Sequence, residues 1–128
     1  MGRIIAQVTV ANALQPENTI RFDAMVNTGV ALLVLRKCWK NRLGQFVATR
    51  TRKFEVADQR EVHGEVCGPL MIQIEGFDSI FSEVVFLEMQ PVNGVYEPLV
   101  GYIALEQSMA AVAMVGHRLV PVKHMNLK

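Results

Sequence analysis

A chain of 128 residues, 51% apolar and 20% charged, is long enough to bury a core without staples and too apolar to be disordered. Its formal net charge of +1 argues against the one-sided basic surface of a nucleic-acid binder. The length suggests a single domain over 1–128.

Taken in order, Ile4 to Val10 is rich in β-branched residues and predicts a strand, and Asn12 to Asn18, with Pro16, predicts a loop. Ile20 to Val26 is a second strand, with Ile20, Phe22, Ala24 and Val26 on one face and Arg21, Asp23 and Met25 on the other. The polar turn Asn27-Thr28-Gly29 follows, flanked by core-forming residues and so expected to be buried. There Gly29 permits a conformation or approach that a Cβ would obstruct. Val30 to Leu35 is wholly apolar, the pattern of a short strand buried on both faces.

Lys37 to Leu43 predicts a short helix, with Trp39 and Leu43 on one face and Gly44 as its stop. Phe46 to Ala57 alternates loosely, as a strand, and Asp58-Gln59 is a turn signal. Glu61 to Ile74 is a long extended stretch, where Gly64 and Gly68-Pro69 predict a bulge or bend. Gly76 to Asp78 is a turn and Phe81 to Met89 a strand. Pro91 to Pro98 is a loop containing the strong turn dipeptide Asn93-Gly94. Leu99-Val100-Gly101 leads into a helix over Tyr102 to Met109. Ala111 to Val115 and Leu119 to Val122 flank Gly116-His117 as a hairpin, and Lys123 to Lys128 is an edge strand or tail. Many short strands with frequent turns and one or two short helices predict a mainly β sandwich or barrel.

Arg36, Lys37, Lys40 and Arg42, with Arg50, Arg52 and Lys53, read as a solvated face offset by acids elsewhere. Cys38 and Cys67 lack CxxC spacing and read as free buried thiols, small hydrophobes rather than nucleophiles. His63, His117 and His124 lack HExxH spacing, so no metal and no cofactor is expected. Trp39 reads as a core or interface aromatic, and His63 and His117 as exposed residues near turns. The N-terminus has neither a signal-peptide core nor a myristoylation pattern, and the longest apolar runs are too short for a membrane span. The expectation is a soluble, cytoplasmic protein with no membrane partner.

An apolar strand running into Asn27-Thr28-Gly29, a second apolar run from Val30 to Leu35, and Leu99-Val100-Gly101 before a short helix occur in that order. Together they resemble the retropepsin-like aspartic peptidases, including their small bacterial relatives, whose motif is a hydrophobic pair, Asp-Thr/Ser-Gly and more hydrophobics, then a later hydrophobic-hydrophobic-Gly. The resemblance spans about residues 4 to 122 and implies a retropepsin-like acid-protease β-barrel. It further implies one lobe per chain and a homodimer in which each chain gives one carboxylate to a shared dyad. Two carboxylates that close cannot both ionise, so one serves as general base on water and the other as general acid. Thr28 would brace the two turns across the two-fold axis and Gly29 would keep the turn tight. A flap closing over an extended peptide substrate is expected at the hairpin of Ala57, Asp58, Gln59 and Arg60.

Position 27 departs from that pattern. An amide has the shape of a carboxylate but cannot take a proton from water at neutral pH. The chain as written is therefore expected to be an inactive endopeptidase scaffold, either an inactivated variant or a pseudoenzyme. The competing reading is a non-catalytic peptide-binding or assembly module of the same fold.

Overall fold

The computed structural model describes residues 3–55, 61–89 and 98–123. Strands β1 (Ile5–Asn12) and β2 (Thr19–Val26) form an antiparallel pair with Ile5 opposite Met25 and Ala11 opposite Thr19. Alternation decides their faces. Ala6, Val8 and Val10 on β1, and Ile20, Phe22 and Ala24 on β2, point into the main core, while Arg21 and Asp23 are exposed.

Beyond the turn lie β3 (Leu33–Arg36), a 3-10 turn at Lys37–Trp39, and α1 (Lys40–Leu43). The expected single helix is thus split in two. Its apolar face holds as read: Leu43 is fully buried, and Trp39 packs on the core with its ring 5.1 Å from Phe22. Gly44 ends α1 with a φ of +97°, a conformation that L side chains rarely adopt.

An antiparallel hairpin follows, β4 (Ala48–Glu55) with β5 (Glu61–Ile74), in register from Ala48 opposite Gly68 to Glu55 opposite Glu61. The expected break at Gly64 does not occur, because Gly64 pairs regularly with Arg52. The register shift in β5 against β6 falls instead between Cys67 and Leu70, around the cis Gly68-Pro69 bond. Next come β6 (Ile80–Leu87), β7 (Leu99–Val100), α2 (Tyr102–Gln107), and the hairpin of β8 (Ala110–Ala113) with β9 (Arg118–Pro121).

The large sheet has the order β1-β2-β7-β3-β6-β5-β4, and β1 also pairs with β5. That extra pairing closes six strands into a barrel and leaves β4 outside it, attached to β5. Closure removes edges that would otherwise need cover. Strand β3 runs parallel to the second half of β6 through the middle, and there residues 33–35 and 84–86 are buried on both faces. Leu33, Leu35, Val84 and Phe86 face the main core, whereas Val34 and Val85 join Val66 in a second cluster on the outer face.

Two polar residues are buried among the described residues. Asn12 is 1% exposed, and its side chain donates to the carbonyls of Leu43 at 2.8 Å and Gln45 at 2.6 Å and accepts from the Leu14 N–H at 2.9 Å. Ser108 is also buried, but its hydroxyl has no partner among the described residues. Of the basic residues read as a solvated face, Lys40 and Arg50 meet acids. Lys40 contacts Glu65 at 2.6 Å, tying α1 to β5, and Arg50 pairs with Glu83, tying β4 to β6. Cys67 is buried, but Cys38 is exposed, contrary to expectation, because the 3-10 turn directs it away from the core that Trp39 covers. Among the described residues, no helix is long and apolar enough to cross a membrane.

Candidate active site

The turn at residues 27–29 is built by the strand that interrupts its two neighbours. β7 lies between β2 and β3, parallel to the first and antiparallel to the second, so the chain leaving β2 must pass around the end of β7 to reach β3. The Met25 N–H donates to the Pro98 carbonyl at 2.8 Å and the Asn27 N–H to the Val100 carbonyl at 2.9 Å. On the far side of the turn, Tyr102 and Ile103 donate their N–H groups to the carbonyls of Val30 and Ala31, at 2.7 and 3.0 Å. A helix begins with N–H groups that have no partner within it. Here the first two of α2 are satisfied by the strand-like segment they hold in place.

The second motif thus clasps the first. Leu99 and Val100 supply the strand and Gly101 supplies the room. A Cβ on Gly101 would lie 2.5 Å or less from backbone atoms of Val30 and Ala31, which cannot swing aside. A leucine-valine-glycine run is therefore what the crossing requires: two strand residues, then no side chain at all.

Within the turn, the Val30 N–H donates to the Asn27 carbonyl at 3.2 Å. The Asn27 Oδ1 accepts the Gly29 N–H at 2.9 Å, an Asx turn. Gly29 has an ordinary φ, and a Cβ there would meet only Asn27 Oδ1, at 3.2 Å. Its absence matters mainly to what approaches from outside. Asn27 is half-buried, but Thr28 and Gly29 are exposed, so the expectation of a buried turn is corrected. The turn projects from the barrel surface, because β7 and α2 fill the space beneath it.

The strand expected over Val30 to Leu35 is corrected as well. Val30, Ala31 and Leu32 lie outside β3 and are only half-buried. With Asn27 and Gly29 they form one wall of a groove of about 470 Å3 whose other walls come from Val34, Val85, Leu87, Leu99, Phe54 and Glu55. A second groove, about 220 Å3, lies on the other side of the turn. It brings Thr28 together with Arg3, Ile4, Met25, Val26 and the β8–β9 hairpin residues Val112, Met114 and His117. The turn is a ridge between them, and Asn27 and Thr28 face different spaces.

Asn27, Thr28 and Gly29 and the trio Leu99, Val100 and Gly101 therefore come together. Asp23 stays on β2, exposed and away from the turn. His63 is exposed, opposite Lys53 and two pairs from the Glu55–Glu61 end of the β4–β5 ladder, and His117 is exposed in the β8–β9 turn with a φ of +48°, both as expected. Ala57, Asp58, Gln59 and Arg60 lie outside the described residues. The hairpin expected to carry them is formed as far as Glu55 opposite Glu61. Among the described residues, no group of three or more His, Cys, Asp or Glu gathers as a metal site. The sequence reading missed the groove residues Phe54, Val85 and Leu87. Phe54 did carry a signal, as the one aromatic in a strand of threonines and cations.

The Arg50 guanidinium, hydrogen-bonded to Glu83, holds that carboxyl below the usual carboxylate range, and burial pushes the Cys67 thiol up. Neither residue lines the two grooves beside the turn.

No family model matches the sequence, and no curated protein matches it. Among solved structures, the chain is similar to EIAV protease complexed with the inhibitor HBY-793. The TM-score is 0.63 at 16% identity, over 88% of this chain and 94% of that one. Identity that low carries the fold and nothing finer. The closed barrel, the clasped turn and this likeness agree: the chain has the retropepsin-like fold.

Proposed function

We propose that this chain is a retropepsin-like aspartic endopeptidase scaffold of the small single-lobe, bacterial type, inactive as written because Asn27 stands at the position of the catalytic aspartate. Residues 1–128 would form one lobe, two copies would pair in the cytoplasm, and the two turns would face each other at the two-fold axis. The observation that carries this reading is the clasp, in which Asn27 N–H on Val100 O and Tyr102 N–H on Val30 O fix the turn from both sides.

With Asp at position 27, the carboxylate keeps the Gly29 N–H that Oδ1 now accepts. Hydrogen bonding of that kind favours the ionised form, while a second carboxylate across the axis opposes ionising both. The pair then holds one proton. The ionised member takes a proton from water, and the protonated member donates to the substrate carbonyl oxygen as the tetrahedral centre forms. Asn27 can do neither, since an amide has no proton to exchange at these steps. Thr28 would brace the paired turns, and the β4–β5 hairpin would cover an extended peptide in the groove.

The test is the Asn27→Asp protein beside the original. Acid-favouring cleavage of peptides, blocked by a statine-type transition-state mimic, and a dimer in sedimentation are the expected results. A folded, dimeric Asn27→Asp protein that cleaves nothing in a broad peptide library overturns the proposal, as does a stable monomer.

The groove itself favours a second reading, a non-catalytic module that binds peptide or joins an assembly. Its apolar walls and volume suit a ligand whether or not hydrolysis follows. On that reading the protein as written binds extended peptide, and Gly29→Val abolishes binding while leaving the fold intact.

A further inference from the structure

The groove beside Asn27 has one wall that does not belong to the barrel. Every residue of β4 is exposed except Phe54, which packs with Leu87 against the outer cluster of Val34, Val66 and Val85. Its seat is Gly64 on the neighbouring strand. A Cβ there would lie 2.5 Å from Leu87 Cδ2 and 2.9 Å from Phe54 Cε2, so both side chains dip into the recess that the glycine leaves. How far the Phe54 ring stands out into the groove is set by that recess. Apart from Asn27 and Gly29 of the turn, the remaining walls are aliphatic, and Glu55 is the one ionisable residue among the described residues lining it. A space of about 470 Å3 lies within the size range of ligand clefts. Apolar walls reward an apolar group, and a lone acid on the wall disfavours an anionic neighbour and favours a cationic one.

We propose that the groove takes a large apolar side chain of an extended peptide, that Phe54 seated on Gly64 limits the size admitted, and that Glu55 selects a basic residue beside it. This rests on the groove being a peptide site and is independent of any proton-sharing dyad. Phe54 and Glu55 are specificity-determining residues, not catalytic ones.

The experiment uses the full chain as written, whose amide at position 27 would leave the probes uncut. The probes are short blocked peptides identical except for a central Ala, Leu, Phe or Trp, each with Lys or Glu beside it. Binding is read by calorimetry. The Leu or Phe peptide should bind about tenfold tighter than the Ala peptide. Lys beside it should help by about threefold over Glu, a difference that Glu55→Gln removes. Phe54→Ala should move the preference to Trp, and Phe54→Trp should move it to Ala. A merely structural role for Phe54 would weaken all peptides alike. Thermal melting checks folding, and Phe54→Leu replaces Phe54→Ala if the latter unfolds.

An unchanged size order in folded Phe54 variants, an equal loss for every peptide, or no binding near millimolar peptide overturns the proposal. If the Asn27→Asp protein cleaves peptides without regard to central size, the size filter fails and the dyad survives. If it cleaves nothing while the size order follows Phe54, the dyad fails and the size filter survives.

Discussion

A Cβ on Gly101 would sit 2.4 Å from the carbonyl oxygen of Val30, closer than a carbon and an oxygen can approach without moving one backbone or the other. That oxygen also accepts the Tyr102 N–H at 2.7 Å, so neither partner is free to retreat. Gly101→Ala should therefore cost about 3 kcal/mol or more, the upper end of overpacking penalties. Urea unfolding measures it. A loss under about 1 kcal/mol would mean that the crossing relaxes easily and that the clasp is loose.

Asn12 presents the opposite case, a buried polar group with its hydrogen bonds made. Asn12→Ala removes two donations to the Leu43 and Gln45 carbonyls and strands the Leu14 N–H, at an expected cost of about 2–4 kcal/mol. Asn12→Asp should also be damaging, because a carboxylate cannot donate to either carbonyl. Equilibrium unfolding of both variants tests whether the amide is the fastening between β1 and the segment after α1.

The Ser108 hydroxyl is buried with no partner among the described residues, which leaves its desolvation unrepaid by them. Ser108→Ala should leave stability within about 0.5 kcal/mol or raise it. A clear loss in thermal or urea unfolding would show that the hydroxyl has a role the fold does not display.

Cysteine labelling separates the two thiols. Cys38 is exposed and should react readily with iodoacetamide at neutral pH. Cys67 is buried and its thiol is pushed up in pKa, chiefly by burial, so less thiolate is present to react. Mass spectrometry of the native protein should find one label, and of the unfolded protein two. Two labels in the native state would mean that β5 opens.

Acid stability should report the Arg50–Glu83 pair. The hydrogen bond from Arg50 lowers the folded-state pKa of Glu83 below its unfolded value. The contribution is therefore complete above the unfolded value, about 4.3, and is lost as pH falls through the lower folded one. Both side chains are reached by solvent, so the effect is small. Glu83→Gln should flatten the fall in melting temperature over that acid window and leave its shape at neutral pH alone.

Much of this fold was legible because local and global preferences agree in it. β1 and β2 alternate, β5 runs from Glu61 to Ile74 as its β-branched residues and bulge signal indicate, and Leu99-Val100-Gly101 opens α2 as read. What sequence concealed was environment. Val30, Ala31 and Leu32 look like an interior strand, because an apolar residue reads the same whether a sheet covers it or a groove leaves it half open. Asn12 reads as the start of a loop, yet its buried side chain makes three hydrogen bonds. Gly64 reads as a strand break, whereas its purpose is to admit two side chains from neighbouring strands. In each case the deciding partner lies far along the chain, where no local pattern can register it.

The threading of β7 between β2 and β3 has a consequence for the order of folding. The turn at Asn27 is made early in the sequence, but its floor arrives about seventy residues later, with Val100. Contacts of that separation form slowly, after local hairpins such as β4–β5. A chain still emerging from the ribosome carries the turn without the strand that shapes it. The candidate site is thus absent from every shorter nascent form and comes into being only when the last quarter of the molecule has joined the barrel.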